Sequence, residues 1–267
     1  MKNYLQDSVK KLNAALELER KVVGVKFLFN KDEFENADAR SVKGKMPYCV
    51  MIRKATLGYD MKVISENSGC IGGSNALGMK ELENSLISGQ DYKNIGLYRD
   101  ITTCRSAIKN TSRFNFRIYG IEIKPLEQFN YDPDIVIIVS DSYQSMRIMQ
   151  GYTCMFGADF SLRATGNQAV CSECTAYPYE HNHINISFLC SGTRYNNKWK
   201  DSEIMIGLPF NKFELLVEGT YMTLNATEPN EKKKEIEYRL KEEKIDFKVE
   251  YDNAYYMKKP PKKNKLV

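Results

Sequence analysis

Histidine and tryptophan are almost missing from this sequence: 267 residues hold two of the first, His181 and His183, and one of the second, Trp199. With so few imidazoles, Ser-His-Asp catalysis has no local motif to stand on. Absent too is any apolar stretch approaching the ~20 residues that span a bilayer. The first residues, Met-Lys-Asn-Tyr-Leu-Gln-Asp, contain no apolar run like that of a secretory leader. These absences predict a cytoplasmic protein that does not enter the membrane. Nor is there a large excess of one charge. The formal net charge is +5, and Lys258, Lys259, Lys262, Lys263 and Lys265 near the end supply much of it. The body is therefore close to neutral, and no nucleic-acid partner is expected.

Phosphate-binding signatures are lacking as well. The small-residue run Gly69-Cys70-Ile71-Gly72-Gly73 precedes an expected helix and offers backbone N–H groups to an anion. It has neither the Gly-Lys-Ser/Thr ending of a P-loop nor the G-x-G-x-x-G spacing of a dinucleotide fold. Cys171-x-x-Cys174 has no second copy to complete a zinc ribbon.

What is present is thiol. Seven cysteines, in a reducing compartment, read as free thiols or ligands rather than a disulfide frame, and the odd number agrees. Three of them, Cys171, Cys174 and Cys190, fall between Ala169 and Arg194, together with both histidines.

Apolar periodicity predicts a helix over 3–19 and strands over 22–29, 61–65, 116–124, 134–140, 184–189 and 204–208. The run 134–140 has no polar alternation, which marks a strand buried on both faces. Pro47 is placed to open a helix carrying Cys49, Met51 and Ile52, and Asp141 to cap one over 142–156. Leu77, Leu82 and Leu86 suggest a further helix ending near Gly89, and 95–98 and 159–164 suggest short strands. A highly charged helix over 231–244 and a disordered lysine-rich tail are expected at the end.

Features recur in the same order in the two halves. Gly58 matches Gly157, Cys70 matches Cys171, Cys104 falls opposite Cys190, and Pro125-Leu126-x-x-Phe129 matches Pro209-Phe210-x-x-Phe213. The expected fold is therefore α/β (or α+β), with two strand-helix-strand units related by a pseudo-two-fold. The first unit covers 1–130 and the second 131–225, with the charged helix and tail at 226–267. A site is expected where the units face each other.

An iron–sulfur cluster needs about four thiolates. Cys49, Cys70, Cys171 and Cys190 can supply them, with Cys104 or Cys174 as alternates. Gly72 and Gly73 allow close backbone approach to such a cofactor. Arg194, four residues beyond Cys190, is the candidate to hold an anionic ligand or cluster charge. Zinc on cysteine and histidine is the alternative. Cys154 is expected to be a buried structural thiol. No residue pattern specifies a reaction, so whether the protein is an enzyme stays open.

Several of these residues occur together as Val23-Gly24-Val25-Lys26-Phe27, Pro47-x-Cys49, Cys70 followed by a glycine pair and Ala76-Leu77-Gly78, and Lys124-Pro125-Leu126. Pro133-Asp134-Ile135-Val136, Cys171-Ser172-Glu173, Cys190-Ser191-Gly192-x-Arg194 and Gly207-Leu208-Pro209 follow. On these motifs, over residues 20–220, the chain resembles the prokaryotic family known as domain of unknown function 169. The resemblance implies a host range of archaea and anaerobic bacteria, where oxygen-sensitive thiols persist. It also implies Cys49, Cys70, Cys171 and Cys190 as the site, without Cys104, Cys154 or Cys174. It brings no mechanism. The resulting expectation is an iron–sulfur redox or electron-transfer protein, working with a redox partner protein or a small anionic ligand. A non-enzymatic small-ligand-binding protein is the second expectation.

Overall fold

The computed structural model describes residues 2–81 and 83–252. Runs rich in Val and Ile become six strands of one antiparallel sheet: β1 (Val23–Leu28), β2 (Met61–Ile64), β3 (Gly120–Pro125), β4 (Ile135–Ser140), β5 (Asn185–Ser187) and β6 (Ile204–Pro209). Their spatial order is β2-β3-β1-β4-β6-β5. Helices cover both faces, so the chain is of mixed α/β class. Because strand side chains alternate, Ile135, Ile137 and Val139 of β4 enter one core and Val136 and Ile138 the other. The expected burial of β4 on both faces is observed.

The second core packs under α1 (Lys2–Leu16), α8 (Ser142–Phe156), α11 (Phe213–Met222) and α13 (Asn230–Glu242), which bury Leu12, Ile148, Leu216 and Leu240. Despite its charge, α13 is docked through Ile236 and Leu240, and Arg239 Nε donates to Ala14 O at 2.8 Å. The lysine-rich tail expected after it lies outside the described residues. The first core carries the cysteines. It is roofed by α3 (Tyr48–Ala55), α4 (Ile71–Ala76) and a π-helical segment, Ala169–Ala176, that runs into α9 (Tyr177–His181).

The sheet reads alike from either edge. β1 pairs with β3 from Val23↔Pro125 to Leu28↔Gly120, and β4 pairs with β6 from Ile135↔Pro209 to Ser140↔Ile204. The two inner strands meet as Val23↔Ile137, Gly24↔Val136 and Val25↔Ile135, a register centred on Gly24 and Val136. The likeness stops at the sheet and its two proline ends. Between β2 and β3 the chain forms α4, α5 (Asn84–Ile87), α6 (Gln90–Asn94) and α7 (Ile101–Lys109), whereas α10 (Ser191–Asn197) alone lies between β5 and β6. The two expected units share one sheet through the β1–β4 ladder.

Several local expectations give way. α4 does not continue to Gly89: Gly78 turns left-handed at φ +69°, and the chain returning from α7 caps the helix end. Phe114 N–H donates to Ala76 O at 2.9 Å and Ile118 N–H to Gly78 O at 3.3 Å, so β3 starts only at Gly120. Residues 95–98 form a turn after α6, with Gly96 at φ +72°. Residues 159–164 are not a strand either; Asn185 holds them by side-chain bonds to both the N–H and the C=O of Arg163. α2 (Lys31–Asn36) and α12 (Leu224–Thr227) complete the described helices.

Candidate functional site

Four elements of the first core bring one cysteine each to a single cavity of about 580 Å³: α3 with Cys49, α4 with Cys70, the π-helical segment with Cys171 and α10 with Cys190. All four stand at or near the start of a helix. Cys70 and Cys190 are N-cap residues, Cys49 is the second residue of α3, and Cys171 the third of its segment. There the first backbone N–H groups have no intrahelical acceptor. Gly73 N–H donates to Cys70 Sγ at 3.4 Å, and Cys190 Sγ donates to Thr193 Oγ1 at 3.3 Å.

Topology changes the correspondence drawn from sequence. Cys49 and Cys171 both lie on the segment before an edge strand, β2 or β5, and Cys70 and Cys190 both cap the helix after it. The expected match of Cys70 with Cys171 draws no support from this order of elements. Cys104 is buried on α7 in a small cluster with Leu86, Tyr92 and Ile108, away from Cys190.

Two glycines allow the approach. A Cβ on Gly73 would lie 3.6 Å from both Cys70 Sγ and Cys171 Sγ, so the two sulfurs are no more than twice that distance apart. A Cβ on Gly207 of β6 would lie 2.0 Å from Cys174 O, so only glycine lets the π-helical segment rest on the sheet. Gly72 faces the Gln168 amide at the cavity wall. Gln168 itself is left-handed, at φ +49°, and its Nε2 donates to Tyr92 OH at 2.5 Å. This tie from the segment to α6 was not foreseen from the sequence.

The thiols influence one another. Burial pushes Cys171 well above the usual thiol range, and the neighbouring Cys70, Cys190 and Cys49 push it further. Cys49 is raised by burial first, against the side chains of Thr193 and Asn197, which favour its thiolate. Among the described residues, the cavity lining includes one carboxylate, Asp91, and no lysine, arginine or histidine. Among the described residues, no three His, Cys, Asp or Glu side chains are grouped as ligands of a single ion.

Other candidates sit elsewhere. Arg194 does not line the cavity: its guanidinium is spent on the carbonyls of Phe188, Lys200 and Glu203, and it clamps the loops that flank α10. Cys174 turns into the sheet, 3.6 Å from Met205 O, away from Cys171. Cys154 is exposed on α8 and is no core thiol. His181 and His183 stack on each other and on Tyr177, apart from the cavity.

The sequence profile of DUF169, described as "Uncharacterised ArCR", matches residues 11–219. This chain belongs to the DUF169 family. An uncharacterised protein of Methanocaldococcus jannaschii is 23% identical over 219 residues, which cover 81% of this chain and 94% of the relative. No solved structure matches the chain at a significant level. The matched DUF169 span contains all four cavity cysteines and ends within α11.

Proposed function

We propose that this protein holds an iron–sulfur cluster on Cys49, Cys70, Cys171 and Cys190 and serves in redox chemistry or electron transfer. The observation that carries the reading is the arrival of four thiols, one per element, at a cavity that no basic side chain among the described residues lines. Burial and neighbouring sulfurs both oppose ionisation of Cys171 and Cys49, so their thiolates ask for positive charge close by. Iron would supply that charge, and coordination would remove the burial penalty that now holds Cys171 protonated. The donor set fits: four thiols, glycine on the inner wall, and helix starts aimed at sulfur. A single zinc ion asks for sulfurs roughly 3.8 Å apart, from Zn–S bonds of about 2.3 Å. A cluster gives each thiolate its own iron and suits a wider ring. When bound, a cluster of this kind supplies one-electron transfer.

Ile71, Ile95 and Leu97 are exposed at the mouth and give a redox partner protein an apolar rim to rest on. The expected anionic ligand draws no support from a wall to which the described residues bring no cation. No helix among the described residues is long and apolar enough to cross a membrane, and a cytoplasmic setting, where thiols stay reduced, belongs to the same proposal.

Protein purified without oxygen from a cluster-competent host is expected to be brown, with about four iron and four sulfide per chain if one cubane is present. Elemental analysis separates iron from zinc. Colourless protein free of both metals sinks the reading and leaves the second one, a binding protein for a small neutral molecule. The cavity volume favours that alternative, since it lies within the range of about 300–1,000 Å³ typical of ligand sites.

A further inference from the structure

Behind Cys49, where α3 crosses α10, lies a group of buried donors that the cluster reading does not use. Arg53 is four residues after Cys49, on the same face of α3. Its Nε and Nη1 are buried and meet no hydrogen-bond acceptor. Trp199 Nε1 and Asn197 Nδ2 are in the same state, and both residues are more than nine-tenths buried. Arg53 stacks over the Trp199 ring, 5.2 Å from guanidinium carbon to ring centroid, and Arg20 stacks over the same ring at 5.0 Å. Glu203 is the carboxylate within reach, and it is taken by Arg20 Nε and by the Lys200 N–H. Asn197 faces the Cys49 thiol directly.

Two guanidinium nitrogens of the half-buried Arg53 are withdrawn from water and left without an acceptor, which is costly where no negative charge stands nearby. The arrangement persists only where nearby negative charge offsets that cost. Four buried donors without an acceptor, two of them on a guanidinium whose neighbouring carboxylate is bonded elsewhere, therefore stand beside a site that, once filled, carries excess negative charge. Each side lacks what the other has.

We infer that Arg53 is the charge-compensating residue of the cysteine site, with Asn197 and Trp199 as its neutral helpers, and that it sets how readily the bound cluster accepts an electron. The inference rests on the cluster reading above. It replaces Arg194, each of whose three guanidinium nitrogens donates to a backbone carbonyl away from the cavity. Arg53 touches no reacting atom and acts by position.

The test is potentiometric. Anaerobic wild-type protein is assayed first for iron and sulfide, then titrated for its midpoint potential, beside R53Q, R53K and K54Q. Lys54 is exposed, on another face of α3, over the Tyr59 ring, so K54Q removes equal charge from the same helix. Expected is a tenfold fall in the ratio of reduced to oxidised cluster for R53Q at fixed poise, which is about 59 mV for a one-electron couple. R53K is expected to recover most of the shift, and K54Q to show little. If R53Q folds but takes up no iron while R53K does, the same role is supported. Equal potentials in wild type and R53Q, at equal iron content, overturn the assignment and leave the cluster standing. Iron-free wild type overturns both.

Discussion

The Cys171 thiol is held protonated by burial and by three sulfur neighbours, and this sets the chemistry of the metal-free protein. Its folded pKa is raised above the unfolded value of about 8.5, so its contribution to stability is complete below that pH. The contribution is lost as pH rises through the folded pKa, because the unfolded chain ionises first. Cys49 and Cys174 are shifted the same way by burial and add to the trend. Metal-free protein is thus expected to lose melting temperature steadily above about pH 8.5. At pH 8, iodoacetamide should label the exposed Cys70 and Cys154 well before Cys171 and Cys174. Peptide mapping of labelled protein checks the order, and early labelling of Cys171 would contradict the burial argument. The choice of four cysteines out of seven was legible in sequence because each sits among small or helix-opening residues: Pro47 near Cys49, Gly72 and Gly73 after Cys70, Gly192 after Cys190. Arg53 was missed although the signal was there, at i+4 from Cys49. Its partners, Trp199 and Asn197, lie more than 140 residues away, and no local pattern reports such a contact.

At the scale of elements, the π-helical segment fixes the site. It sets Cys171 towards the cavity and Cys174 towards β6, so a Cys-x-x-Cys spacing that reads as one chelate divides into a site thiol and a core thiol. Its seat is Gly207. A G207A change would drive a methyl group into the Cys174 carbonyl and force the segment off the sheet. A loss of about 1–3 kcal/mol is expected from overpacking of this kind. A sharper fall in bound iron is expected too, since Cys171 moves with the segment; denaturant melts and iron assay together check this. Strands and long helices were legible here, because β-branched runs and the Asp141 capping box are local signals. The stretch between β2 and β3 was not. Leu77, Leu82 and Leu86 keep a near-helical spacing, yet Gly78 is committed to a turn whose carbonyls accept from the Phe114 and Ile118 N–H groups. That commitment is made by chain arriving some forty residues later.

For the whole molecule, the sheet is continuous across the sequence midpoint, and the helices of its far face include the last one described. Leu240 of α13 is fully buried beside α1, so L240A is expected to cost about 2–5 kcal/mol. That loss should appear in one cooperative transition, because α13 joins the same core as β4 and β6. A separate early transition for α13, seen by circular dichroism with unchanged core melting, would contradict it. The crossing of the site by both halves also has a consequence in time. Cys70 leaves the ribosome 120 residues before Cys190, an interval of about 6–24 s at 5–20 residues per second. For most of that interval, until Cys171 follows, Cys49 and Cys70 are half of the cavity thiols, and β6, which anchors the other half, is still to be made. If the proposed cluster is held here, a cofactor delivered early would meet an incomplete ligand set and an open cradle, so its loading would follow translation and act on a nearly finished protein.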